Sequence, residues 1–285
     1  MVSLFGPAVG RDTITGRADD AGGVLLMVGG TSLVRIDLTT RQRSEVSLQT
    51  KSGEPFWGLA RLADATLWTL NGQNTLTQIA ADGKTIREVG ASNAYLGIFS
   101  GGDRLVMQRV SLPVWTPAMI TVIPDEGNGR PWGGMTVRGF ERLASGAAAA
   151  MNLVSCGTTE GAEMPCWFPE EPAISLMTAD GTTRRVELEG LPRLAPEVLI
   201  NAAAPMRPIR DVFIERDGTI WVLASGEAPS SAGNLPGGWL LARYGPQGQP
   251  IDRRALPEPV RVILRAKSGR ALVLTGAGMV AEVQP

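Results

Sequence analysis

Residues 209–226 read "IRDVFIERDGTIWVLASG". Two short apolar runs rich in Ile, Val and Trp flank the polar Arg216-Asp217-Gly218. Runs of this length are strands, and an Asp-Gly pair between them is a hairpin turn, because glycine accepts positive φ and aspartate bonds its own backbone. The phrase recurs along the chain. It returns as "RDTITGRADDAGGVLLMVGG" (11–30), "WGLARLADATLWTLNG" (57–72), "YLGIFSGGDRLVMQRV" (95–110), "FERLASGAAAAMNLVS" (140–155) and "VRVILRAKSGRALVLTG" (260–276).

Each of these hairpins is followed by a second, the last being incomplete. "SLVRIDLTTRQRSEVSL" (32–48) turns at Thr39-Thr40, and "LTQIAADGKTIREV" (76–89) turns at Asp82-Gly83. "MITVIPDEGNGRPWGGMTV" (119–137), "AISLMTADGTTRRVEL" (173–188) and "WLLARYGPQGQPIDRRAL" (239–256) continue the series. The unit is a four-stranded meander repeated at roughly forty residues, the period of propeller blades. Six units are expected, forming one all-β domain over residues 1–285. The last unit has only three strands, at 260–266, 270–275 and 279–283. Residues 2–5 are expected to supply the fourth and so to pair two otherwise open sheet edges.

Composition narrows the function. Hydrophobic residues make up 44% and charged residues 19%, and the net charge is −1. Such a balance gives no long-range field for nucleic acid or an anionic membrane. No apolar run approaches the ~20 residues of a spanning helix. There is no histidine, which excludes Ser-His-Asp and Cys-His catalysis and every imidazole metal site. Lysine is confined to Lys51, Lys84 and Lys267 among 27 basic residues. "DGKT" (82–85) lacks the earlier glycine of a phosphate loop and precedes a strand, so it is a turn.

"DGTIWVLAS" resembles repeats of the NHL and two-component-regulator propeller type. "GEPFWGLARLADATLWTLNGQNTLTQIAADGK" (53–84) resembles a blade of the six-bladed family that holds gluconolactonases and senescence-marker proteins. The lactonase likeness implies a divalent metal bound by a Glu before an inner strand, with Asn and Asp from other blades. Glu54 stands where that Glu is wanted, but Arg210-Asp211 and Val260-Arg261 stand where the partners should be. One carboxylate beside arginines does not supply a hard cation's oxygen shell. Neither a metal nor a cofactor is expected. A likeness to virginiamycin-B-lyase-type propellers implies histidine acid–base chemistry, which this chain lacks.

Arginines recur near the starts of inner strands: Arg11-Asp12, Arg210-Asp211, Arg261 and Glu141-Arg142. They form either an anion-binding cluster at the channel mouth or an Arg–Asp network linking blades. Trp68 and Trp221 are packing residues at equivalent repeat positions. Trp57 precedes an inner strand, while Trp115, Trp167 and Trp239 lie by long insertions and are candidate ligand contacts. The insertions, at 109–119, 155–174, 189–208 and 225–239, fall on one face of the ring.

The expected function is a non-catalytic module binding a small anionic ligand or a protein partner at that face, without nucleic acid or membrane insertion, and monomeric. The alternative is a metal-independent hydrolase or lyase with Glu54, Asp12, Asp211 or Glu141 as base. Cys156 and Cys166 are too few for a thiolate zinc site. They form a disulfide or two free thiols. The disulfide is expected, and with it an extracytoplasmic chain, periplasmic or secreted, whose signal peptide has been removed; two reduced thiols would point to the cytoplasm.

Overall fold

A computed structural model describes residues 2–5, 13–19, 22–48, 53–62, 65–71, 75–80, 82–90, 95–101, 104–111, 116–122, 155–167, 171–178, 182–191, 209–225 and 239–284. Residues 209–225 behave as read. Ile209–Ile214 and Ile220–Ser225 pair antiparallel around a turn in which the Asp217 carboxylate accepts the Thr219 amide at 2.9 Å. Gly218 takes φ +86°, a conformation glycine adopts without penalty. Asp37 and Asp82 cap their turns in the same way, each accepting backbone amides two or three residues on.

The described residues form only strands, numbered in chain order, and their arrangement is a β-propeller. One sheet holds β2 (Thr13–Asp19), β3 (Gly23–Val28), β4 (Ser32–Asp37) and β5 (Arg43–Ser47) in sequence order. The next holds β6 (Phe56–Arg61), β7 (Leu67–Asn71), β8 (Thr75–Ile79) and β9 (Thr85–Gly90). β10 (Tyr95–Gly101), β11 (Arg104–Ser111) and β12 (Thr116–Val122) follow as a meander. β13 (Ser155–Cys156), β15 (Met164–Trp167), β16 (Ala173–Met177) and β17 (Thr183–Glu187) make another sheet. β18 (Ile209–Ile214), β19 (Ile220–Ser225), β20 (Trp239–Tyr244) and β21 (Pro250–Leu256) form the last complete meander. β22 (Val260–Lys267), β23 (Arg270–Thr275) and β24 (Val280–Val283) are completed by β1 (Val2–Phe5), hydrogen-bonded along β24.

In place of the six separate sheets expected, the described residues form five. The cause is β14 (Thr158–Thr159), which pairs in parallel with β10 on one side and β18 on the other, merging two meanders into one eight-stranded sheet. Gly157 makes this possible. A Cβ there would lie 1.9 Å from the Val212 carbonyl oxygen, so only glycine permits the two backbones to approach.

Two expected insertions are therefore corrected. Segment 155–174 holds β13, β14 and β15 and is not one uninterrupted loop. Segment 109–119 is mostly β11 and β12, joined through residues 112–115, with Ser111 opposite Thr116. Most of 189–208 and 225–239 lies outside the described residues, as does the hairpin expected over 140–155 apart from Ser155.

The apolar cores lie between successive sheets. Met27, Leu33, Phe56 and Leu59 pack β2–β5 against β6–β9. Trp167, Ile174, Val212 and Tyr244 pack β15–β17 against β18–β20. Trp221, Leu241, Ile263 and Val273 join the last two sheets. Trp68 and Trp221 occupy matching positions on second strands, opposite Ala60 and Phe213, and both are buried as packing residues.

Cys156 and Cys166 are directly opposed on β13 and β15 and form a disulfide. Both are buried in the sheet, so the bond staples two strands and not a loop tip. In the chain-entropy account a loop this short contributes roughly 2–3 kcal/mol. Intact, unreduced protein treated with an alkylating agent under denaturing conditions is expected to show no labelled cysteine by mass spectrometry. Two labelled thiols would refute the bond.

Candidate functional site

The strands β22, β2, β6, β10, β14 and β18 neighbour one another in that order, and β18 returns to β22 to close a ring. Five of them share a device. The register slips near the leading end of β2 (Thr13/Thr15), β6 (Phe56/Gly58), β10 (Tyr95/Gly97), β18 (Ile209/Asp211) and β22 (Val260/Val262). Each slip is a bulge in which one residue has no partner in the ladder, and bulges re-aim side chains and cluster near functional sites. The residues so placed are Ile14, Trp57, Leu96, Arg210 and Arg261. Trp57, Arg210 and Arg261 thus share one register position at one end of the ring.

This arrangement revises two expectations. Trp57 lies inside β6 and does not precede it. Ile14, not Arg11, occupies the position equivalent to Arg210. Arg11, Asp12, Glu141, Arg142 and Trp115 lie outside the described residues.

Arg261 is exposed and donates to the Gly276 carbonyl at 2.9 Å. The Arg210 guanidinium lies over the Trp239 ring, 5.6 Å from its centroid, a cation–π contact that restrains its plane. Trp57 is partly buried against Ala60, Trp68, Leu70 and Ile98. Trp167 is a packing residue and not a ligand contact: it is 2% exposed, and its Nε1 donates to the Ile209 carbonyl at 3.1 Å. Glu54 is exposed in the connection between β5 and β6. Among the described residues, no three Cys, Asp or Glu side chains converge as a metal site.

Asp211, beside Arg210, is buried. Its Oδ1 accepts the Val212 amide at 3.0 Å and its Oδ2 accepts the Ile263 amide of β22 at 2.7 Å. Burial raises its pKa to about 7, while the two amides and the Arg17 guanidinium pull the other way. Arg17, on β2, is itself lowered by burial, and Asp211 counteracts that shift. The carboxylate is thus a bridge between neighbouring inner strands, with both oxygens engaged. Sequence reasoning missed Arg17. Its signal was a charge at a register position held by Ala60, Phe99 and Phe213 on other inner strands.

No family model and no curated protein matches the sequence. Solved structures do. The chain is similar to virginiamycin B lyase from Staphylococcus aureus, with a TM-score of 0.55 and 14% identity over 100% of this chain and 87% of that one. It is similar to regucalcin, a calcium-binding protein from Agrobacterium tumefaciens, with a TM-score of 0.57 and 11% identity over 99% and 92% of the two chains. It is also similar to U3-55K, at 0.57 and 8% over 99% and 79%. At these identities the likeness establishes the β-propeller fold, in agreement with the resemblance drawn from the repeats.

Proposed function

We propose that this chain is a non-catalytic binding propeller working outside the cytoplasm, which engages a small anionic ligand or an acidic group of a protein partner at the leading end of its inner-strand ring. The reading rests on the shared bulge, which sets Trp57, Arg210 and Arg261 at one register position. Two guanidinium groups on neighbouring strands suit a carboxylate or phosphate. The buried disulfide supports the location. With no histidine, this chain does not have the residue type whose replacement inactivates the lyase neighbour, so histidine acid–base chemistry of that kind is not open to it. A panel of phosphate, sulfate and simple carboxylates should raise the melting temperature of the native chain. The double variant Arg210→Gln/Arg261→Gln should lose that response. No response to any anion would sink the reading.

One observation favours the second reading, a metal-independent hydrolase or lyase. Asp211 titrates near neutrality, where a general base is useful. Its engaged oxygens count against it. Turnover of an activated ester or lactone, abolished in Asp211→Asn with the fold intact, would reverse the preference.

A further inference from the structure

Among the described strands of the ring, β14 is the shortest. Gly101 pairs with Thr159 on one side of it, and Thr158 and Thr159 pair with Phe213 and Ile214 on the other. Both of its residues are threonines, so no large apolar side chain of its own anchors it in a core. Its hold comes from its two ends. At the exit, the Glu160 amide donates to the Ile214 carbonyl at 2.9 Å, and the Glu163 carboxylate accepts two bonds from Arg184 at 2.7 and 2.6 Å. At the entry, the Gly157 amide donates to the Pro165 carbonyl at 2.9 Å, beside the Cys156–Cys166 bond.

That entry has little else to fix it. β13 makes two ladder pairs with β15, and one of them is the cysteine pair itself. Cys166 stands on firmer ground: it pairs with Ser175 of β16, and the next residue is the buried Trp167, bonded to the Ile209 carbonyl. The disulfide therefore ties a weakly held strand to a firmly held one, two residues before Thr158. We infer that the Cys156–Cys166 bond is a redox latch on the ring: closed, it keeps β14 seated between β10 and β18; opened, it lets β14 withdraw and parts the ring there. This holds whether or not the chain binds an anion. A dithiol opens the latch by exchange, which breaks the Sγ–Sγ bond, leaves two cysteine thiols and converts the dithiol to its own disulfide. Segment 157–161 then regains the chain entropy that the tether had removed. The facing edges of β10 and β18 are left unpaired, about two strand spacings (~10 Å) apart.

The test is hydrogen exchange read by mass spectrometry on the full chain, oxidised or treated with dithiothreitol, and on Cys156→Ala/Cys166→Ala. Thiols of the treated chain are counted by alkylation before unfolding. Once the bond is gone, peptides over 157–161 and over the ends of β10 and β18 should exchange roughly tenfold faster or more, while those over β3, β4 and β23 keep their rates. Gly157→Ala should give the same local pattern with the bond intact, because its Cβ would stand 1.9 Å from the Val212 carbonyl oxygen and unseat β14. Unchanged exchange at 157–161 in the reduced chain or the double variant would overturn the latch. Equal acceleration over β3, β4 and β23, or a double variant that does not fold, would make the bond a brace for the whole molecule and overturn it too. So would a bond that dithiothreitol opens only after denaturation, since a latch must open in the folded chain.

Discussion

A chain lacking residues 1–6 is expected to melt about 5 °C below the full chain, or to aggregate on purification. β1 lies antiparallel on β24, with Val2 opposite Glu282, Ser3 opposite Ala281 and Phe5 opposite Val280. Cross-strand pairs contribute roughly 0.2–1 kcal/mol each, and closing the sheet protects the buried Val280, Ala281 and Val283 from an open edge. A total loss of about 3 kcal/mol corresponds to roughly 5 °C for a domain of this size. Scanning calorimetry decides the matter, and an unchanged midpoint with unchanged solubility would show that β1 contributes nothing to closure.

Asp211 should make stability fall as pH rises from about 4 to 7. Its ordinary value is 3.8 and its folded value about 7, so within that window the folded chain keeps a proton that the unfolded chain has released. Stability is greatest below the window, declines across it and levels off above it. Three pH units correspond to about 4 kcal/mol. Glu160, also raised by burial, adds the same sign just above its ordinary 4.5. Asp37, Asp82 and Asp217 are lowered by backbone amides, so their opposite contributions fall below pH 4 and leave the window clear. In Asp211→Asn the slope should largely vanish. That variant loses about 1–3 kcal/mol at pH 5, where its amide group faces a backbone N–H, and recovers relative to the native chain by pH 8. Denaturant melts at pH 5, 6, 7 and 8 for both chains measure this, and parallel curves would contradict it.

The described hairpins and the closing strand were legible because local chemistry decides them. Asp217-Gly218 and Asp82-Gly83 turn where their side chains and φ values say they must, and a unit one strand short points to a spare strand elsewhere. The segment "CGTTEGAEMPCW" was misread for the opposite reason. Its glycines and small polar residues have loop character, and β14 becomes a strand only through parallel bonds to β10 and β18, each far away in sequence. The rim was half legible. Trp57, Arg210 and Arg261 stood out as residue types, but a bulge is a one-residue slip that composition does not mark. Arg11 was consequently aligned with Arg210, where the ladder places Ile14.

The pairing of β1 with β24 also sets a schedule. Within this chain the first strand synthesised meets its partner only when nearly all the rest has been made, which at ribosomal rates takes on the order of tens of seconds. Throughout that interval "VSLF" lacks the β24 edge with which it pairs. Contacts of such large sequence separation form slowly, because the loop must close before the pairing rewards it. The β1–β24 pairing is thus the contact of greatest sequence separation among the described strands, the kind whose formation loop closure slows most.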